Sequence, residues 1–349
     1  MSGHVLLPTS LDEVTRTLRD SGGELRAGGT DVTARQLSGR AAGPFVDLHL
    51  VPAMPRGIQW SADGSARIGA LTTIAEIAAD PQLRSSYPAL TMTAGALATP
   101  QIREAGTLGG NLLQRNRCWY YRNSHFSCFQ TGGDGCPARE GMNLYSAVID
   151  QGPCVAPHPS SIAMALLAYD AQVDVHDRGR VAVSELYGDG SDPTRDHLLG
   201  LGEVLLAVDL PVPADGERAA YHRAISRHEA EWPLVEAVAR VVLDGSAISM
   251  AAVAVGGVAH TPLRLTEVEV ALTGLRTSTH SDSAADLSAA AETALTRCQP
   301  LTQTGYKVGL LRDTVLEVLE RATAPPDMTH RPAMGVRPCN IRQHVRRPA

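Results

Sequence analysis

The sequence predicts an α+β fold divided into two or three subdomains, and three observations carry that expectation. The chain has 349 residues, beyond the length at which one hydrophobic core usually stops growing. Segments of period-two alternation are interspersed with segments of helical spacing. Apolar residues make up 44% and charged residues 19%, the balance of an ordinary folded chain.

Taken in order, Leu11 to Leu18 follow helical spacing, with Ser10 as N-cap and Glu13 as its capping-box partner. GELRAGGTDV reads as a short strand entering a glycine turn, and FVDLHLV, from Phe45 to Val51, as a second strand. These elements delimit a first subdomain over residues 1–55. ARIG ends a strand at Gly69, and a capped helix follows through Ile74, Ile77 and Ala78. SSIAMALLAYDAQVDVHD reads as a helix then a strand, and VLLAVDLPVP as a strand closing a second subdomain over 56–216. A boundary is placed near Ala214 to Ala219. In the last domain, 217–324, a polar stretch at Tyr221 precedes a helix from Trp232 to Val242, the strand AISMAAVAVGG, and amphipathic helices near Leu265 to Leu272 and Lys307 to Arg321. The tail, 325–349, carries five arginines and little apolar periodicity, which reads equally as an extended arm or as a strap onto a partner.

The first apolar run, Val5 to Leu7, is too short for a signal peptide, and no stretch approaches the ~18 apolar residues of a bilayer span. The expected compartment is the cytoplasm, with periplasmic residence open to a chain co-exported beside a signal-bearing partner. A net charge of -6 and an aromatic content of 4% argue against a nucleic-acid surface.

Two short motifs resemble each other, RAGGTDV at Arg26 to Val32 and GTLGGNLL at Gly106 to Leu113. Each sets a Gly-Gly pair beside a hydroxyl, so backbone N–H groups and a Thr donor can converge on an anion with no Cβ in the way. Neither is a G-x-G-x-x-G fingerprint, and no phosphate-loop motif occurs. Each alone reads more readily as a turn; together they suit a pyrophosphate gripped from two sides.

Four of the six cysteines, Cys118, Cys128, Cys136 and Cys154, fall within 37 residues, separated by nine, seven and 17 others. The gaps match neither zinc ribbons nor ferredoxin runs. Disulfides are disfavoured in a reducing compartment. Soft thiolates favour zinc or an iron-sulfur cluster, and the residues leave both open. Cys298 and Cys339 are isolated and read as ordinary free thiols.

AGGTD, VDLHLVPAM, IGALTTIAEI, PQIREAGTLGGNL, HPSSIAMALLAYDA, VAVGGVAHTPLR and YKVGLLRDTVLEVL stand in the order and spacing of the FAD-binding medium subunit of the xanthine dehydrogenase and aldehyde oxidase family of molybdenum hydroxylases. The chain resembles that family from about Val5 to Arg321. The resemblance implies a two-subdomain FAD-binding domain of the vanillyl-alcohol-oxidase/PCMH type followed by a C-terminal α+β domain of the CO dehydrogenase flavoprotein type. It implies that Arg26, Ala27, Gly28, Gly29, Thr30, Asp31 and Val32 form one FAD loop and Thr107, Gly109, Gly110 and Asn111 the other, with Gln114 beside the flavin. Where the family has Pro-Ser-Asp, this chain reads Pro159-Ser160-Ser161, so Ser161 brings a hydroxyl able to cap the helix in place of a carboxylate. Arg223 stands where the family often has Lys. RCWYYR, GCPAREGMN and GPCVAPHPS resemble the branch of bacterial periplasmic aldehyde oxidoreductases, whose FAD subunit carries a cysteine insertion, here 117–155, that binds a 4Fe-4S cluster.

No histidine pair has ligand spacing and no nucleophile elbow occurs; His125, His158 and His49 read as polar-shell or packing residues. Chemistry is therefore expected from cofactors. The resemblance implies an electron-transfer subunit: a large partner holds the molybdenum cofactor, a small one holds 2Fe-2S clusters, and this chain's FAD passes electrons to an external acceptor. A self-contained flavin oxidase and a zinc-stabilised scaffold without flavin are the rival readings.

Overall fold

The computed structural model describes residues 4–228, 230–277 and 281–324; the tail assigned to 325–349 and Cys339 lie outside them. Three sheets organise the chain. The first is parallel, with order β1-β3-β2, built from β1 (Val5–Leu6), β2 (Glu24–Arg26) and β3 (Phe45–Asp47). It is joined through α1 (Leu11–Ser21) and α2 (Thr30–Leu37).

A second, antiparallel sheet has the order β4-β5-β8-β6-β7. Its strands are β4 (Ile58–Trp60), β5 (Ala66–Gly69), β6 (Gln172–Val175), β7 (Gly179–Ala182) and β8 (Leu205–Leu210). Between β5 and β6 run α3 (Ile74–Ala79), α4 (Pro81–Ser86), α5 (Pro88–Ala96), α6 (Pro100–Ala105), α7 (Leu108–Leu112), α8 (Trp119–Arg122) and α9 (Ser161–Ala168), while α10 (Val183–Tyr187) follows β7. Both sheets close on one core, in which Val46, Ile68, Ile77, Leu108 and Leu166 are buried together.

The third sheet, order β12-β11-β10-β9, is antiparallel, from β9 (Arg218–Ala224), β10 (Val235–Asp244), β11 (Ala247–Gly256) and β12 (Leu263–Arg264). Helices α11 (Thr266–Leu272), α12 (Ser281–Glu292) and α13 (Tyr306–Thr323) accompany it. Val235, Ala237, Ala239 and Val241 on β10 enter a core with Leu311 and Val315 of α13. Val238 on the other face joins the core of the first two sheets.

That two-sided burial corrects the helix expected from Trp232 to Val242. Both faces of β10 are covered, so its sequence shows no alternation, and the β-branched residues decide for the strand. Tyr221 likewise lies within a strand, β9, rather than a polar stretch. The strand expected over Phe45 to Val51 stops at Asp47, because the Asp47 carboxylate accepts the His49 N–H at 2.9 Å and turns the chain. At α1 the Ser10 hydroxyl accepts the Glu13 N–H, but the Glu13 carboxylate reaches back to the N–H of Thr9, at 2.7 Å, instead of Ser10. A complete capping box opens α3, at Thr73 and Glu76.

Candidate cofactor site

The first glycine loop joins β2 to α2. Gly29 has φ +72°, a conformation glycine adopts without strain, and it is the N-cap of α2. The amides of Thr30, Asp31 and Val32 occupy the first turn, which an α-helix leaves without intrahelical acceptors, so positive partial charge faces outward there. Gly28 lies flat against the end of α6: a Cβ on it would stand 1.7 Å from the Ala105 carbonyl oxygen. The two loops therefore touch backbone to backbone.

The second loop is α7 and its approach. Here the expectation of bare amides is corrected. The N–H groups of Leu108 and Gly109 go to the carbonyls of Thr72 and Ala70, and that of Gly110 to the Thr107 hydroxyl. What this loop offers is a close glycine surface, with 3.1 Å between a hypothetical Gly109 Cβ and Ala70 Cβ, together with the Thr107 hydroxyl proton and polar side chains.

Ala27, Gly28, Gly29, Thr30, Asp31, Val32, Thr107, Gly109, Gly110 and Gln114 all line one cleft between the loops. It continues into a larger cavity with about 1400 Å³ of empty space, mouth included, which Thr30, Asp31, Thr107, Gly110 and Gln114 also border. Asn111, Ser161 and Arg223 line this second part, with Ile74, Leu97, Ile102 and Trp232 as apolar walls. Arg26 stays outside both: its Nη1 donates to Asp47 at 2.7 Å, with its guanidinium beside Gly29. Ser160, not Ser161, caps α9, accepting from Ala163 N at 3.0 Å and donating to Asn111 Oδ1 at 2.6 Å.

Asp31 has a role that spacing did not reveal. Its carboxylate receives Arg35 Nε at 3.0 Å, the Arg115 N–H at 3.2 Å, Arg122 Nη2 at 2.8 Å and the Arg117 guanidinium. Arg117 in turn lies over the Trp232 ring at 4.5 Å. The glycine loop is thereby clamped to the start of the cysteine segment. The only sequence signal was the density of arginines from Arg115 to Arg122, an element that local propensity does not read.

The cysteine segment forms a small body of its own, packed around Tyr120, Ala138 and Val155 with Cys118 and Cys136 against them. Buried Asp196 ties it down, accepting Asn116 Nδ2 at 3.1 Å and Gln130 Nε2 at 2.9 Å, with Arg115 Nε at 2.8 Å. Burial opposes that carboxylate's charge, but Arg115 and these donors outweigh it and hold its pKa below the usual range. Cys118, Cys128, Cys136 and Cys154 all line one cleft with about 300 Å³ of empty space, mouth included. Burial, with the charges of the nearby thiols and, at Cys154, of Asp196, pushes the Cys118 thiol up to about 11 and Cys154 to about 12. Cys136 is raised for the same reasons. Thiolates in such surroundings require a cation to neutralise them. Among the described residues no three His, Cys, Asp or Glu side chains close around a single-ion point. His158 lies outside the cysteine cavity, edge-on to Tyr187 with ring centroids 4.4 Å apart, and His125 does not line it either.

Comparison with known proteins places these features in a family. Residues 1–213 match the FAD binding domain in molybdopterin dehydrogenase, and residues 220–324 the CO dehydrogenase flavoprotein C-terminal domain. The chain is 32% identical over 268 residues to the aldehyde oxidoreductase FAD-binding subunit PaoB of Escherichia coli, covering 75% of this chain and 79% of that one. It is 25% identical over 329 residues to the alpha subunit of the 6-hydroxypseudooxynicotine dehydrogenase complex of Paenarthrobacter nicotinovorans, 90% and 92% of the two chains. The fold matches a chain of quinoline 2-oxidoreductase from Pseudomonas putida 86, with TM-score 0.71 and 20% identity over 93% of this chain and 97% of that one. It also matches a chain of carbon monoxide dehydrogenase from Hydrogenophaga pseudoflava, with TM-score 0.70 and 22% identity over 92% and 96%.

Proposed function

Because this chain belongs to the family of FAD-binding subunits of molybdopterin dehydrogenases, and is an oxidoreductase subunit, we propose that it is the FAD- and 4Fe-4S-carrying electron-transfer subunit of a molybdenum-dependent aldehyde or aromatic-heterocycle oxidoreductase. The observation that carries the reading is the adjacency of two prepared sites. Four half-buried thiols line one cleft, and the segment bearing them is bolted through Asp31 to the loop that opens the FAD site.

In this reading the first-turn amides of α2 and the Thr107 hydroxyl hold the pyrophosphate, with the glycine surfaces allowing close approach. The larger cavity would take the isoalloxazine between its apolar walls, with Asn111, Gln114, Ser161 and Arg223 as the polar groups at hand. FAD supplies the step between one- and two-electron chemistry; the residues bind it, orient it and limit water around it. The shared cleft would let Cys118, Cys128, Cys136 and Cys154 hold an iron-sulfur cluster, for which soft thiolates are the fitting donors.

A large molybdenum-cofactor subunit and a small 2Fe-2S subunit are the proposed partners, and the electrons leave to an external acceptor. PaoB is an FAD-binding subunit of an aldehyde oxidoreductase, which supports an aldehyde as the substrate oxidised elsewhere in the complex. No described helix is long and apolar enough to cross a membrane. Co-purification with the two partners, followed by a visible spectrum, tests the reading. Superimposed flavin and iron-sulfur absorption in a trimer is the expected result; turnover of an aldehyde by this chain alone would overturn it.

A further inference from the structure

Glu236 is the least expected residue beside the cavity. It sits on β10, opposite Arg223 of β9 and Gly256 of β11. Only 1% of it is exposed, and it lies on the strand face turned toward the FAD-binding domain, as Val238 does. Tyr221 Oη donates to Glu236 Oε2 at 2.8 Å. The hydroxyl of Ser161, at the start of α9, is a polar neighbour that lowers the pKa of the same carboxyl group. Room for it exists because residue 256 is glycine: a Cβ there would stand 2.6 Å from Glu236 Oε1. Ser161 and Arg223 border the large cavity, whereas Glu236 itself does not. A buried carboxyl group thus stands behind the cavity wall, beside its strand partner Arg223 and Ser161, which both line it.

We propose that Glu236 is a positioning residue that acts through Ser161 on the flavin, making the flavin's reduction depend on whether the Glu236 carboxyl carries a proton. The inference rests on the reading that places the isoalloxazine in this cavity. Ionised Glu236 holds the Ser161 hydroxyl as a donor toward itself and sets a negative charge behind it, which disfavours added electrons in the cavity. A protonated carboxyl donates instead, freeing the Ser161 hydroxyl proton to point into the cavity. Burial raises the pKa of Glu236, opposed by Ser161, by the Tyr221 hydrogen bond and by the charge of Arg223. Those three groups are its polar and charged neighbours from β9 and α9, and on β11 it pairs with Gly256.

The test is the flavin midpoint potential measured against pH in the purified complex, with dithionite as the source of two electrons and solvent as the source of the protons taken up. The wild-type complex is compared with Glu236→Gln and Ser161→Ala. At low pH the wild-type and Glu236→Gln curves coincide, since both carry a neutral side chain. Above the titration of Glu236 the wild type becomes harder to reduce, by on the order of tenfold in the reduction equilibrium, about 30 mV for two electrons. Glu236→Gln loses the break, and Ser161→Ala, in which the connecting hydroxyl is gone, shrinks it. If either variant binds FAD stoichiometrically and keeps the wild-type curve, break included, the inference is overturned. A wild-type complex without flavin would instead defeat the reading on which it rests. Should Glu236→Gln not fold, Ser161→Ala decides alone.

Discussion

Gly28→Ala is the smallest change that separates the two cofactor loops. The new methyl carbon would stand 1.7 Å from the Ala105 carbonyl oxygen, and real Cβ contacts do not fall below 3.0 Å. The obstacle is backbone, so it cannot rotate away, and the loops must part by at least about 1.3 Å, comparable to the ~1 Å errors that already impair binding geometry. A displacement of that size takes the first-turn amides of α2 out of line with the second loop. Losing two hydrogen bonds to a charged pyrophosphate costs about 3–6 kcal/mol, or a 10²- to 10⁴-fold loss of FAD affinity. Fluorescence titration of the apo-protein with FAD measures this. Gly95→Ala is the control, because a Cβ at Gly95 in α5 meets nothing within 4 Å and alanine favours the helix by roughly 0.5–1 kcal/mol. An unchanged FAD dissociation constant in Gly28→Ala would refute the reasoning.

Asp31→Asn removes the charge shared by Arg35, Arg117 and Arg122; each arginine keeps another partner, so the cost falls below that of an isolated buried pair, at about 2 kcal/mol. Amide exchange of residues 115–122 should then quicken by roughly 30-fold, with little change in β10. Cys136→Ser should abolish cluster absorbance and iron while FAD remains, since the glycine loops lie outside the insertion; retention of the iron would exclude Cys136 as a ligand. Acid sensitivity follows from His158 and His197, whose pKa values burial lowers from 6.5 to about 3 and about 4. Between pH 6.5 and 4 the unfolded chain binds protons that these folded histidines refuse, so stability is full above pH 6.5 and falls as pH drops. His158→Gln should flatten the decline in melting temperature across that window.

Much of the fold is legible in the sequence where a local rule and its tertiary setting agree. The Thr73 cap, the apolar periodicity of α13 and the alternation of AISMAAVAVGG each specify an element with few alternatives. The glycine pairs are legible because they share unusual residue types, and their lining of one cleft is what such pairs suit. β10 is illegible because burial on both faces erases its period, and α2 because its start is hidden in a glycine turn. The amides of α7 look available in sequence, yet their acceptors, the carbonyls of Ala70 and Thr72, come from an approach about 40 residues distant in the chain. Asp31 and Glu236 escape for a related reason: their partners lie on other elements, so neither the arginine clamp nor the buried acid behind Ser161 leaves a spacing to read.

Iron and acid-labile sulfide, determined per flavin in the anaerobically purified chain with its partners separated, bear most directly on the central claim. Four irons and four sulfides per FAD on this chain are the predicted result, all lost in Cys118→Ser or Cys154→Ser. Stoichiometric FAD with zinc, or with no metal, would contradict it.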